Sequence, residues 1–135
     1  VVKEAVKIKL GLSNELKLGN LDASRDWGHA KDYVAAMWLM LQQDEPDDFV
    51  CSTGESHTVR DLVKYVFTKL ELDWKNYVTQ DEKFYRSEEL EFLKGDCSKA
   101  KTVLGWKHEY TFETMLDEMI ENWKQQLKED NNGNK

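Results

Sequence analysis

Apolar residues at Val2, Ala5, Val6, Ile8 and Leu12 recur at nearly helical spacing and predict a helix over residues 1–12, with Gly11 near its end. No capping residue precedes Val1, so the chain reads as beginning inside a helix, as a truncated piece would. Leu16 and Leu18 alternate with polar neighbours as a short strand that Gly19 and Asn20 interrupt. From His29 to Gln43 the residues Tyr33, Val34, Met37, Trp38, Met40 and Leu41 mark a strongly apolar helix face, and Pro46 stops it. The run Phe49-Val50-Cys51 predicts a buried strand with neighbours on both sides, ending in the turn Ser52-Thr53-Gly54.

Thr58-Val59-Arg60-Asp61 predicts a capping box, with Asp where Glu is commoner, opening a helix whose inner face is Val59, Leu62, Val63, Val66, Phe67 and Leu70. Residues 74–78 predict an edge strand, and residues 83–94 a loop with short extended pieces. Asp96 or Ser98 would cap a short helix from Lys99 to Leu104, ended by Gly105. A final helix starts at Thr111 and carries the stripe Phe112, Met115, Leu116, Met119, Ile120, Trp123 and Leu127. The last eight residues hold no apolar side chain and predict a frayed tail, leaving 1–127 as the folded domain.

A chain of 135 residues, 40% hydrophobic, supports one modest core. Its formal charge of -7, without a basic cluster, argues against nucleic acid and anionic membranes as partners. No apolar run reaches the ~20 residues of a membrane span, and no signal-peptide pattern opens the chain, which reads as cytoplasmic. Cys51 and Cys97 form no CxxC or metal set, and His57 and His108 stand alone, so no metal site is expected. There is no GxSxG nucleophile elbow.

The candidate chemistry lies in two loops. Arg25 sits between a strand and a helix in LKLGNLDASRDWGHAKDYV, and Arg86 follows an aromatic pair in FYRSEELEFLKGD. A guanidinium stays charged and offers a planar fork that matches two phosphate oxygens, which suits a diphosphate. Judged on local pattern alone, Arg25 reads as a loop arginine paired with Asp26 or Asp32, and Arg86 with Glu89 as a solvated surface pair.

RDWGHAKDYV and FYRSEELEFLKGD resemble the corresponding segments of the GDP-mannose 4,6-dehydratase family, part of the extended short-chain dehydrogenase group, and the similarity runs from Val1 to about Trp123. The resemblance implies an α/β fold of helices with short strands, the carboxyl-terminal part of an NAD(P)-binding extended short-chain dehydrogenase, lacking most of the Rossmann sheet. It implies that Arg25 meets the nucleotide diphosphate or ribose, that Arg86 and Glu89 hold the diphosphate and ribose, and that Leu18, Gly19 and Asn20 lie beside the guanine. Trp27, His29, Asp32 and Tyr33 also match, and are read as structural: His29 fixes the loop and Asp32 braces it. Ser87 stands where the family has proline, which frees the backbone before Glu88. The family activity is NADP-dependent conversion of GDP-mannose to its 4-keto-6-deoxy derivative, toward GDP-fucose, by hydride removal at C4, loss of water across C5 and C6, and hydride return to C6.

The family's GxxGxxG cofactor loop is absent, and its catalytic YxxxK pair is read here as absent too, so no catalytic residue is expected, NADP would bind a part outside this chain, and the chain alone would be inactive. The family equivalent of Phe49–Ser52 joins the cofactor-binding sheet, and a strand left without that sheet predicts self-association into a homo-oligomer. Two other readings fit the same residues: part of a different nucleotide-sugar dehydratase or epimerase, and a non-catalytic binding or interaction module.

Overall fold

A computed structural model describes residues 1–85 and 90–132. Where length alone suggests one compact body, the chain groups into two: unit 1 comprises residues 1–23, 58–89 and 116–135, and unit 2 comprises residues 24–57 and 90–115.

Unit 1 is built on α1 (Val2–Lys9), β1 (Leu16–Leu18), α3 (Val59–Lys69), β4 (Val78–Gln80) and most of α5 (Phe112–Asn132). Helix α1 is shorter than its apolar spacing predicts, because Gly11 takes a φ of 72° and turns the chain toward β1. Strands β1 and β4 pair in parallel with Leu16 opposite Val78 and Leu18 opposite Gln80, and α3 lies between them in sequence as the crossover that parallel strands require. The predicted edge strand at 74–78 is displaced: Trp74–Asn76 forms a 3-10 turn, because the Asp73 carboxylate accepts from the Lys75 amide, and the strand begins only at Val78. The inner faces meet in a core whose most enclosed side chains are Phe67, Leu116, Val6, Val63 and Val66.

The start of α3 is specified locally. Thr58 Oγ1 accepts from the Asp61 amide at 3.0 Å while the Asp61 carboxylate accepts from the Thr58 amide at 3.0 Å, which completes the capping box. Helix α3 is tied to α5 by Asp117, which takes the Tyr65 hydroxyl at 3.0 Å and the Lys69 ammonium at 3.1 Å. On α5 the predicted stripe is buried at Phe112, Met115, Leu116, Ile120 and Leu127, whereas Met119 is exposed. The helix continues to Asn132, through residues whose composition predicts fraying.

Unit 2 holds β2 (Ser24–Arg25), α2 (Ala30–Leu41), α4 (Ser98–Leu104) and the first turn of α5; β3 (His57–Thr58) lies at the junction of the two units in sequence. Helices α2 and α4 pack through Ala36, Ala100 and Leu104, joined by Cys97 and Trp106, with Tyr33, Leu39, Met40, Phe49 and Cys51 around them. Gly105 ends α4 in the left-handed region, φ 64°, which a glycine adopts without a Cβ penalty. Two expectations fail here. Phe49–Cys51 is not a strand, because no described segment offers it a hydrogen-bonding edge; its Phe49 and Cys51 side chains pack on the α2–α4 cluster instead. The apolar face of α2 is split: Tyr33, Leu39 and Met40 turn inward, while Val34, Met37, Trp38 and Leu41 remain exposed.

Thr58→Ala removes half of the capping box and leaves the Asp61 amide without its acceptor. A loss of about 1 kcal/mol in equilibrium denaturation is expected, and an unchanged midpoint would show that the box contributes nothing.

Candidate functional site

The loop Arg25–His29 leaves β2 and enters α2, and within unit 2 it is held by three other stretches of chain. The first is the segment after residue 89. Ser24 pairs as a parallel bridge with Phe92, its amide donating to the Glu91 carbonyl at 2.7 Å and its carbonyl accepting from the Leu93 amide at 3.1 Å. The Arg25 side chain extends this seam: Nη1 donates to the Leu90 carbonyl at 2.6 Å and to the Ser24 carbonyl at 2.7 Å. The first described residue after Arg86–Glu89 is thus a partner of Arg25.

The second stretch is Thr53–Gly54. One Asp26 carboxylate oxygen accepts from the Thr53 amide at 2.9 Å and the Thr53 hydroxyl at 2.6 Å, and the other from the Gly54 amide at 2.9 Å and the Gly95 amide at 3.3 Å. Desolvation is the largest single influence on this carboxyl and pushes it up, yet the hydrogen bonds from Thr53, Gly54 and Gly95 together outweigh it and hold it below the usual aspartate range. Gly95 is required for the close approach, since a Cβ there would lie 2.3 Å from the Ser52 Cβ.

The third stretch is Trp106–Thr111. Asp32, 5% exposed, accepts the Glu109 and Tyr110 amides on its carboxylate at 2.9 and 3.2 Å, and its backbone carbonyl accepts the Trp106 indole N–H at 2.9 Å. The His29 ring stacks on Tyr110 at 4.0 Å, and its Nδ1 accepts from the Lys31 amide at 3.1 Å to cap α2. Both residues therefore do the structural work that their sequence positions suggest. Trp27 and His57 stack on Phe112, at 6.0 and 3.9 Å between ring centres.

Among the other expected site residues, Leu18, Gly19 and Asn20 belong to unit 1. Leu18 closes β1, the Gly19 carbonyl accepts from Gln80 Nε2 at 3.2 Å, and Asn20 Oδ1 accepts from the Asp22 amide at 2.9 Å in a side-chain turn. Arg86 and Glu89 lie outside the described residues. Contrary to expectation, a YxxxK spacing is present, at Tyr65-Val66-Phe67-Thr68-Lys69. Its environment is unlike that of a proton-transfer pair, because both groups are spent on Asp117 across two helices and burial, the largest influence, raises the Tyr65 hydroxyl. Sequence reading missed Asp26 as the hub of the loop; its adjacency to Arg25 was the available signal. Among the described residues no group of three or more His, Cys, Asp or Glu is placed to hold a metal, and no helix is long and apolar enough to cross a membrane.

The fold is that of an extended short-chain dehydrogenase. It superposes on RMD from Pseudomonas aeruginosa, solved with NADPH, with a TM-score of 0.82 at 23% identity over 93% of this chain and 41% of that one. It also matches dTDP-glucose 4,6-dehydratase from Bacillus anthracis, solved with NAD, with a TM-score of 0.77 at 22% identity over 95% of this chain and 40% of that one. Within that class the chain belongs to the GDP-mannose 4,6 dehydratase family, whose model matches residues 1–119. It is 53% identical over 115 residues to GDP-mannose 4,6 dehydratase 2 of Arabidopsis thaliana, covering 85% of this chain and 31% of that protein. Against the Homo sapiens GDP-mannose 4,6 dehydratase it is 47% identical over 137 residues, covering 89% of this chain and 37% of that protein. The chain thus spans about a third of the length of these relatives.

Asp26 has a lowered folded-state pKa, so the stability it confers is present above the unfolded value of about 3.9 and is lost as pH falls through the folded one. Asp26→Asn points an amide N–H at N–H donors and should cost about 1–3 kcal/mol near neutral pH, toward the lower end in a half-buried loop. Denaturant titrations of both proteins at pH 7 and pH 3 should show the gap narrowing in acid; a gap of constant size would remove the carboxylate from the account.

Proposed function

We propose that this chain is the nucleotide-sugar-binding part of a GDP-mannose 4,6-dehydratase, gripping the diphosphate and ribose of GDP-mannose through Arg25, Arg86 and Glu89, with Leu18, Gly19 and Asn20 beside the base. The observation that carries this reading is the seam between the two motif-bearing segments, in which Arg25 is hydrogen-bonded to Leu90, the residue directly after Arg86–Glu89. Family membership supplies the substrate class. In the whole enzyme NADP would sit on polypeptide beyond this chain. Among the described residues, the strand-to-helix turn that opens α2, Arg25-Asp26-Trp27-Gly28-His29, does not suit a dinucleotide: it holds a single glycine, and its Trp27 and His29 rings are stacked on Phe112 and Tyr110. The chain alone is therefore read as a binder without dehydratase activity.

Isothermal calorimetry with GDP, GDP-mannose and UDP-glucose tests this. The guanine nucleotides should bind, UDP-glucose should bind more weakly, and Arg25→Ala should lower GDP affinity about tenfold or more, as loss of one charge-assisted contact does. Equal binding of all three ligands, or none, would remove the GDP-sugar reading for the isolated chain.

A second reading concerns assembly. We propose that two copies associate through α2, whose exposed Val34, Met37, Trp38 and Leu41 fall at i, i+3, i+4 and i+7. The helix has exposed Lys31 at its start and exposed Asp44 and Glu45 just beyond its end, so an antiparallel two-fold pairing would cover the stripe and set opposite charges against each other. Light scattering after size exclusion should give a dimer mass that Trp38→Asp reduces to a monomer; a wild-type monomer at high concentration would refute it.

A further inference from the structure

We propose that Asp26 is the positioning residue for Arg25: by holding the loop backbone to Thr53–Gly54 and Gly95, it keeps the Arg25 guanidinium on the Leu90 carbonyl. The inference rests on the nucleotide-sugar reading for its biological use, but its geometry stands apart from any ligand. Successive side chains leave an extended backbone on opposite faces, so Arg25 and Asp26, adjacent at β2, reach different neighbours. Arg25 takes the Ser24–Phe92 seam, and Asp26 takes the turn after Ser52 together with Gly95. With the Asp26 carboxylate engaged on both oxygens, the loop backbone is tied to Thr53–Gly54 and Gly95 on the side opposite the Arg25 contacts.

An arginine side chain has large rotamer freedom, and anchoring removes that freedom before a ligand arrives. Gly95 lies five residues beyond Leu90 on the same segment. One carboxylate therefore fixes the loop bearing the first arginine and the stretch that follows the second. Three of the four bonds come from main-chain amides, whose positions do not depend on side-chain rotamers. A carboxamide in place of the carboxylate keeps the shape and loses acceptor capacity, so Asp26→Asn isolates the hydrogen bonds from packing.

The test uses the intact chain, labelled with 15N, and reads solvent exchange of the Arg25 guanidinium N–H groups alongside GDP calorimetry. In the wild type these protons should exchange slowly. Asp26→Asn should speed their exchange about tenfold or more and weaken GDP by a similar factor, while circular dichroism stays that of the folded protein. Thr53→Val, which deletes the hydroxyl that donates to Asp26 and accepts from the Glu55 amide while keeping the three main-chain donors to the carboxylate, should give a smaller change in the same direction and serves as the reporter if Asp26→Asn fails to fold. A folded Asp26→Asn protein, or Thr53→Val in its stead, with wild-type Arg25 exchange overturns the proposal. Slow wild-type exchange that the variants accelerate, in a chain that gives no heat with GDP, upholds the positioning role and overturns the ligand reading.

Discussion

The Asp26 carboxylate gathering hydrogen bonds from Thr53, Gly54 and Gly95 is the interaction on which unit 2 depends. The backbone there forms almost no regular sheet, so its amides lack the ladder that would ordinarily satisfy them, and a buried amide left without an acceptor costs about as much as a lost hydrogen bond. An ionised carboxylate has four lone-pair sites and accepts only. Placed among converging amides, it does for three irregular segments what a neighbouring strand does for a sheet.

Asp32 repeats the device six residues later, from inside α2. Its carboxylate takes two successive amides at Glu109 and Tyr110, and its carbonyl takes the Trp106 indole. The helix is thereby fixed to the stretch leading into α5, and the stacked His29–Tyr110 pair closes the same contact from the other side of the turn. Two acidic side chains, one before the helix and one within its first turn, define where the Arg25 loop begins and ends. Rigidity of this kind favours binding, because a side chain already held in place loses less freedom when it meets an anion.

Features encoded by neighbouring residues were legible in the sequence. The Thr58–Asp61 box, the Gly105 stop, the inner face of α3 and the β1 strand each follow from a few adjacent positions, and the family resemblance carried the α/β class. Features that depend on remote chain were not. Phe49–Cys51 has the composition of a strand, but a strand exists only with a partner edge, and no described segment supplies one. The α2 stripe is helical in spacing, yet the pattern does not say how much of it is covered, and Val34, Met37, Trp38 and Leu41 are open. The Tyr65–Lys69 spacing meets a catalytic pattern, but its three-dimensional setting, a salt-linked helix pair, decides its role where spacing cannot. In the candidate site, Arg25 stands out in the sequence by its charge, while Asp26 looks there like no more than its counter-ion.

The seam beside Arg25 is made through carbonyl and amide groups of Ser24, Leu90, Glu91 and Leu93, while the side chains of Leu90 and Phe92 project outward, 64% and 62% exposed. Anchoring and surface chemistry are consequently uncoupled along this edge. Evolution is free to repaint its outer side with new polarity or bulk without disturbing the frame that holds the arginine.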